Sequence, residues 1–209
     1  AETSTGVLNP IPEIAKLLEG KDSLFLVDTV TSLGGIPVEV DKWVADIVYS
    51  GSQKCLSCPP GLAPATFSPE AIEKLTNRKS KVPNWYLDLS MLTQYWAGKT
   101  RVYHHTAPVN MLYGLYQAIW NILNEGEENV FARHQKAHEH LVAGLADLGW
   151  EMLVAEKYRL PMLNTVLVPE GVDEALLRHR LLHDHRIEIG AGLGPMAGKI
   201  IRIGIMGYN

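Results

Sequence analysis

Apolar and polar positions follow two rhythms along this chain. Residues 11–20, IPEIAKLLEG, repeat apolar side chains at helical spacing and close on glycine, which predicts a short helix. Residues 23–28, SLFLVD, form a continuous apolar run ending in Asp28, the pattern of a strand buried on both faces. TSLGGIPVEV (31–40) reads as loop and short strand, ADIVYS (45–50) as a second buried strand and LAPATFS (62–68) as a third. Helical spacing returns at 69–78 and in the second half of the aromatic-rich VPNWYLDLSMLTQYW (82–96). RVYHHTAPV (101–109) reads as a loop. Pro108 then opens a helix to about 124, with Leu112, Tyr116, Ile119 and Leu123 on one stripe.

Gly126 reads as a boundary. Beyond it the pattern predicts a long helix over 127–148, strands at WEMLV (150–154) and NTVLVP (164–169), a helix from Asp173, and strands at IEIGAG (187–192) and KIIRIGI (199–205). The expectation is an α/β fold. The C-terminal part of a large α/β/α domain occupies 1–125, and a smaller α+β domain with an antiparallel sheet occupies 126–209.

Composition narrows this picture rather than changing it. The 209 residues carry a net charge of -4 and a pI near 6.1, and neither suggests a nucleic-acid or membrane-surface partner. No apolar run approaches the roughly 18 residues that would span a bilayer. The two cysteines, Cys55 and Cys58, argue against a disulfide framework and fit a reducing compartment. The opening AETSTGVLNP has no initiator Met and runs like a strand end into a loop, and IIRIGIMGYN stops just after a strand; both read as parts of a longer chain.

Candidate chemistry sits at strand ends. Asp28 and Lys54 close two apolar strands that could be neighbours, and ligands of open α/β sheets bind outside the carboxyl ends of the strands. A lysine amine can condense with a carbonyl cofactor, and a carboxylate can hold a protonated pyridine nitrogen, a pair that pyridoxal phosphate requires. Hydroxyls and the amide of SGSQ (50–53), and the hydroxyls of ETSTG (2–6), could serve a phosphate. Spacing alone leaves several reaction classes open. Arg202 interrupts the apolar IIRIGI, and a planar fork suited to a carboxylate explains a guanidinium there better than a solvent-facing edge position does.

Five segments carry a resemblance: FLVDTVTSLGG, DIVYSGSQKCLSCPPG, NWYLDL, RVYHHTAPV and GLGPMAGKIIRIGIMG. In order along the whole chain they resemble the alanine–glyoxylate and serine–glyoxylate (serine–pyruvate) aminotransferases, class V, fold-type I pyridoxal-phosphate enzymes. The resemblance implies that Lys54 is the Schiff-base lysine and Asp28 the pyridinium partner. It places Val30 on the ring face, Thr3 against the cofactor and Gln53 against its phosphate. Tyr103 and Thr106 match residues that reach the phosphate of the neighbouring subunit, so a homodimer with shared sites is expected. Arg202 matches the arginine that grips the substrate carboxylate. Relative to that family the chain lacks an N-terminal segment with a glycine-containing phosphate loop and a ring-stacking aromatic, and the final C-terminal helices.

The expected activity is transamination between a small amino acid, alanine or serine, and glyoxylate or pyruvate. The alternatives are another class V enzyme such as a cysteine desulfurase, or an inactive fragment acting as a dimerisation module. The expected setting is cytoplasmic, with peroxisomal and mitochondrial members known in the family. Other features read as structural, and no metal is expected. CLSC (55–58) lacks a second cysteine pair. His134 and His138 read as a partly buried or solvated helical face, and His179, His183 and His185 likewise. GAGLGP (190–195) follows a strand but opens no helix, and reads as a substrate-side loop.

Overall fold

In the computed structural model, residues 1–96, 99–100 and 102–208 are described. Helix α1 spans Ile11–Leu18, and strand β1, Leu26–Asp28, follows. Strand β2, Ile47–Tyr49, lies parallel to β1, with Asp28 opposite Tyr49; β3, Ala65–Phe67, pairs antiparallel on the other side of β2. Helix α2, Pro69–Thr76, starts where the hydroxyl of Ser68 accepts the Ala71 N–H at 3.0 Å and Pro69 presets the first turn. A 3-10 turn, Trp85–Leu87, leads into α3, Leu89–Trp96. Helices α4, Val109–Glu125, and α5, Glu127–Asp147, meet at Gly126, whose φ of 87° lets the chain reverse.

The second sheet is antiparallel. Strand β6, Ile200–Gly204, runs between β4, Leu163–Leu167, and β5, Gly190–Ala191. Helix α6, Glu174–His185, is capped by the Asp173 carboxylate on the Leu176 N–H.

Four expectations need correction. The run 23–28 forms only the short β1, and it is not buried on both faces: Val27 is 3% exposed but Leu26 is 55% exposed. Strand β1 is an edge among the described residues, and its Leu26 side has no cover there. WEMLV is no strand; it makes one bridge, Met152 to Val166. IEIGAG contracts to two residues, because α6 ends on Arg186 in a left-handed conformation and the Ile187 N–H bonds back to Leu181. The α4 stripe forms but points outward: Leu112, Tyr116, Ile119 and Leu123 are exposed, and Ala118 and Ile122 are the buried residues.

The core crosses the length of the chain. Cys55 packs with Leu160, Met162 and Leu163, and Leu56 with Ile122 of α4 and Val130 of α5. The segment after β2 is thus packed against the start of β4 on one side and against α4 and α5 on the other, and burial of this apolar surface holds it there.

Candidate active site

Asp28 and Lys54 leave the carboxyl ends of adjacent parallel strands, as the sequence predicts. The loops that follow are laced together. Thr29 N–H and hydroxyl donate to Tyr49 O at 2.9 and 2.8 Å, and the Ser50 hydroxyl returns a bond to Thr29 O at 3.0 Å. The Cys55 thiol reaches Thr31 O at 3.3 Å. Thr3 shares a 2.6 Å hydrogen bond with the Thr31 hydroxyl, which brings the first residues of the chain to the same place. Val30 and Gln53 converge over Gly51: a Cβ there would lie 2.8 Å from Gln53 Oε1 and 3.5 Å from Val30 Cγ1. Glycine keeps this end of the strand open.

Both oxygens of Asp28 are oriented. Oδ1 accepts the Val30 N–H at 2.8 Å and Oδ2 accepts the Tyr49 hydroxyl at 2.7 Å. A carboxylate has roughly four acceptor sites, so two remain for an incoming N–H. The bond to Asp28 raises the Tyr49 phenol above its ordinary range, which keeps it a donor. Sequence reasoning missed Tyr49. Its only signal is positional: if β1 and β2 are adjacent and parallel, Tyr49 stands opposite Asp28.

Lys54 is half-buried, and its side chain has no hydrogen-bond or ion-pair partner among the described residues. Cys55 and Cys58 beside it are buried, and desolvation pushes the Cys55 thiol up to about 12. Both pack, and Cys55 is not poised as a thiolate. The SGSQ hydroxyls differ from expectation. Ser50 and Ser52 are buried, and their protons go to Thr29 O and Pro59 O, so they hold the loop together instead of serving an anion. Gln53 stays exposed and available.

Arg202 lies on the central strand β6 rather than on an edge. Its Nε donates to Ala191 O at 2.8 Å and its Nη1 to Thr3 O at 3.3 Å, which ties it to the Thr3–Asp28 cluster. Among the described residues no carboxylate neutralises it. A half-buried guanidinium with three free N–H donors fits a small carboxylate.

No hydrogen bond joins the Tyr103 or Thr106 side chain to this cluster among the described residues. Both are exposed, and their hydroxyls bond each other at 2.7 Å. Buried His104 stiffens their loop by stacking on Trp85 with ring centroids 4.2 Å apart. His134 and His138 are both buried, not solvated. His134 Nδ1 meets Val130 O at 2.8 Å, and His138 Nδ1 meets Asn164 Oδ1 at 2.6 Å. No cluster of three or more metal-ligating side chains occurs among the described residues, and no helix there is long and apolar enough to cross a membrane.

An α/β sheet that brings an aspartate and a lysine to adjacent strand ends, followed by a small antiparallel sheet bearing an unpaired arginine, is the architecture of the fold-type I pyridoxal-phosphate transferases. The chain belongs to the aminotransferase class-V family, whose model matches residues 1–209. It is 43% identical over 211 residues to alanine–glyoxylate aminotransferase of Rattus norvegicus, covering 100% of this chain and 51% of that protein. It superposes on the crystal structure of alanine–glyoxylate aminotransferase from Nostoc sp. with a TM-score of 0.96 at 51% identity, covering 100% of this chain and 55% of that one. The ureidoglycine–glyoxylate aminotransferase structure from Bacillus subtilis matches with a TM-score of 0.95 at 39% identity, covering 100% and 54%. The chain therefore spans about half the length of the relatives it matches.

Proposed function

We propose that the protein of which this chain is part transfers an amino group from a small amino acid to glyoxylate, with pyridoxal phosphate as cofactor. The observation that carries the reading is Lys54, whose side chain has no partner among the described residues, together with the doubly oriented Asp28, the two following neighbouring strand ends. When bound, the cofactor supplies an electron sink for the amino acid's α carbon. The donor set fits it. Lys54 Nζ would hold the cofactor's aldehyde and, once the substrate's amine displaces it, would take and return the α proton. Asp28 would accept the hydrogen bond of the protonated ring nitrogen, and the Val30 N–H and Tyr49 hydroxyl keep that carboxylate in place. Val30 would pack on the ring, and Thr3 and Gln53 would contact the cofactor and its phosphate. Arg202 grips the carboxylate shared by amino and keto substrates.

Glyoxylate is the better supported half of the substrate pair, because the names of the rat, Nostoc and Bacillus relatives share it while their amino donors differ. Alanine and serine are the donors proposed here, and pyruvate is a second acceptor. A matrix of amino donors against keto acceptors on the full-length protein tests this; no turnover with glyoxylate would exclude it. A cysteine desulfurase reading is disfavoured, since the two cysteines are buried and the Cys55 thiol is held protonated.

The working form proposed is a homodimer with shared sites, in which Tyr103 and Thr106 serve the neighbour's phosphate. The exposure of both hydroxyls supports this, as does the exposed α4 stripe. Mixed dimers of Lys54→Ala chains with Tyr103→Phe, Thr106→Ala chains should regain up to half the activity, and none would return if each chain served only itself. Two buried free thiols support a reducing, cytoplasmic setting; a peroxisomal or mitochondrial signal from the tagged full-length protein would contradict it.

A further inference from the structure

The turn that carries Lys54 is tight and strained. Ser57 N–H bonds back to Lys54 O at 2.9 Å, and Ser57 itself is left-handed with φ 58°. That region is disfavoured for any residue with a Cβ, so the surroundings must hold it. What holds it comes from the far end of the chain. The Tyr208 N–H donates to the Ser57 hydroxyl at 3.1 Å. Gly207 lies directly on Ser57: a Cβ there would overlap the Ser57 hydroxyl and stand 3.1 Å from its Cβ, and Gly207 has φ 70°.

This corner is itself fastened on both sides. Gly207 N–H donates to His134 Nε2 at 2.9 Å, and Arg133 Nη1 donates to Gly207 O at 2.6 Å. Because Nε2 accepts, the His134 proton sits on Nδ1 and goes to Val130 O. Arg133 forks onto Glu125 at 2.7 and 3.1 Å and lies over the Tyr208 ring, whose hydroxyl also donates to Glu125. Every polar group of the corner named here has a partner.

We infer that the Gly207–Tyr208 corner, fastened by His134, Arg133 and Glu125, is a clamp that positions the Lys54 turn. His134, Arg133 and Glu125 are positioning residues, acting on the lysine through Gly207, Tyr208 and Ser57. The clamp follows directly on β6, the strand that carries Arg202, so the carboxylate grip and the lysine are set by one segment. That the clamp serves catalysis rests on the reading of Lys54 as the cofactor-binding lysine.

A double-mutant cycle on the full-length, pyridoxal-phosphate-loaded protein tests it. Gly207→Ala should displace the turn and lower kcat on the order of 10²-fold, as a misplacement near 1 Å does, with KM for the keto acid little changed. Amide hydrogen exchange over residues 55–58 should quicken. Ser57→Gly removes the obstructing hydroxyl and Cβ, so adding Gly207→Ala to it should cost far less than Gly207→Ala alone. Additive effects would overturn the clamp. Should Gly207→Ala not fold, Ser57→Ala decides instead. It removes only the acceptor, and should quicken exchange at 57 and 208 and lower kcat at an unchanged Tm. Unchanged exchange and kcat would overturn the inference. Borohydride labelling of the unsubstituted protein separates the two claims: label away from Lys54 sinks the cofactor reading, while the exchange data still decide whether the corner holds the turn.

Discussion

Asp28 does its work through two donors. The Val30 N–H comes free with the turn, but the Tyr49 hydroxyl is a side-chain choice. Asp28→Asn should nearly abolish turnover while cofactor still binds, since a neutral amide cannot stabilise a protonated ring nitrogen. Tyr49→Phe should cost less, because a hydrogen bond to a charged group contributes about 1.5–3 kcal/mol and Val30 remains. Steady-state kinetics of the two variants check this, and near-normal activity of Asp28→Asn would reduce Asp28 to a strand-end cap. Arg202→Lys keeps the charge but loses the fork, and should lower kcat/KM about ten- to a hundredfold for amino and keto substrates alike. Equal kinetics with the unsubstituted protein would place Arg202 outside the site. Lys54, Asp28 and Arg202 stand out in the sequence as candidates because each charge sits in or at the end of an apolar run. Tyr49 was not, since an aromatic in a strand already has a sufficient explanation in the core. Ser50 and Ser52 were misread because a hydroxyl's partner is decided by tertiary neighbours that lie outside its own segment.

Helices were the most legible elements: Ser68 and Pro69 mark the start of α2, Pro108 that of α4 and the capping Asp173 that of α6. Short strands were not. Residues 150–154 and 187–189 have strand composition, but the first makes only a single bridge to β4 and the second no ladder among the described residues, and pairing rather than propensity makes a strand. The α4 stripe was correctly periodic, yet period cannot say what covers it. Replacing Tyr116 and Leu123 with lysine should leave helix content unchanged and turn a dimer into a monomer by light scattering. A dimer that persists would move the interface elsewhere. Helix α5 makes a pH prediction. Burial lowers the His134 pKa, so the unfolded chain binds the proton better and stability falls as pH drops below about 6.5. Glu125 is the second stage. The hydrogen bonds from Arg133 and Tyr208 lower its pKa from 4.5 to about 2, and the stability it contributes is lost as pH falls across that interval. Denaturation midpoints across pH should decline in these two windows. Replacing His134 with asparagine should flatten the upper one, and an unchanged profile would contradict the assignment.

At the scale of the molecule, residues from near both ends of the described chain converge on one place. Thr3, Asp28, Lys54, Arg202 and Gly207 are distant in sequence, and hydrogen bonds through Thr31, Ser57 and the Thr3 carbonyl gather them. The sequence made the two strand ends legible, because an apolar run followed by glycine and small hydroxyls marks the exit of a parallel sheet. It could not reveal that the last residues fold back onto the lysine turn, since that contact depends on how the small sheet seats against Cys55. The proposed chemistry depends on Lys54 as the residue that carries the cofactor. Reduction of the full-length, pyridoxal-phosphate-loaded protein with borohydride, followed by peptide mapping, decides it. A single pyridoxyl label on Lys54, absent from Lys54→Ala, is expected. A label on any other lysine, or none at all from a protein that has bound the cofactor, would contradict it.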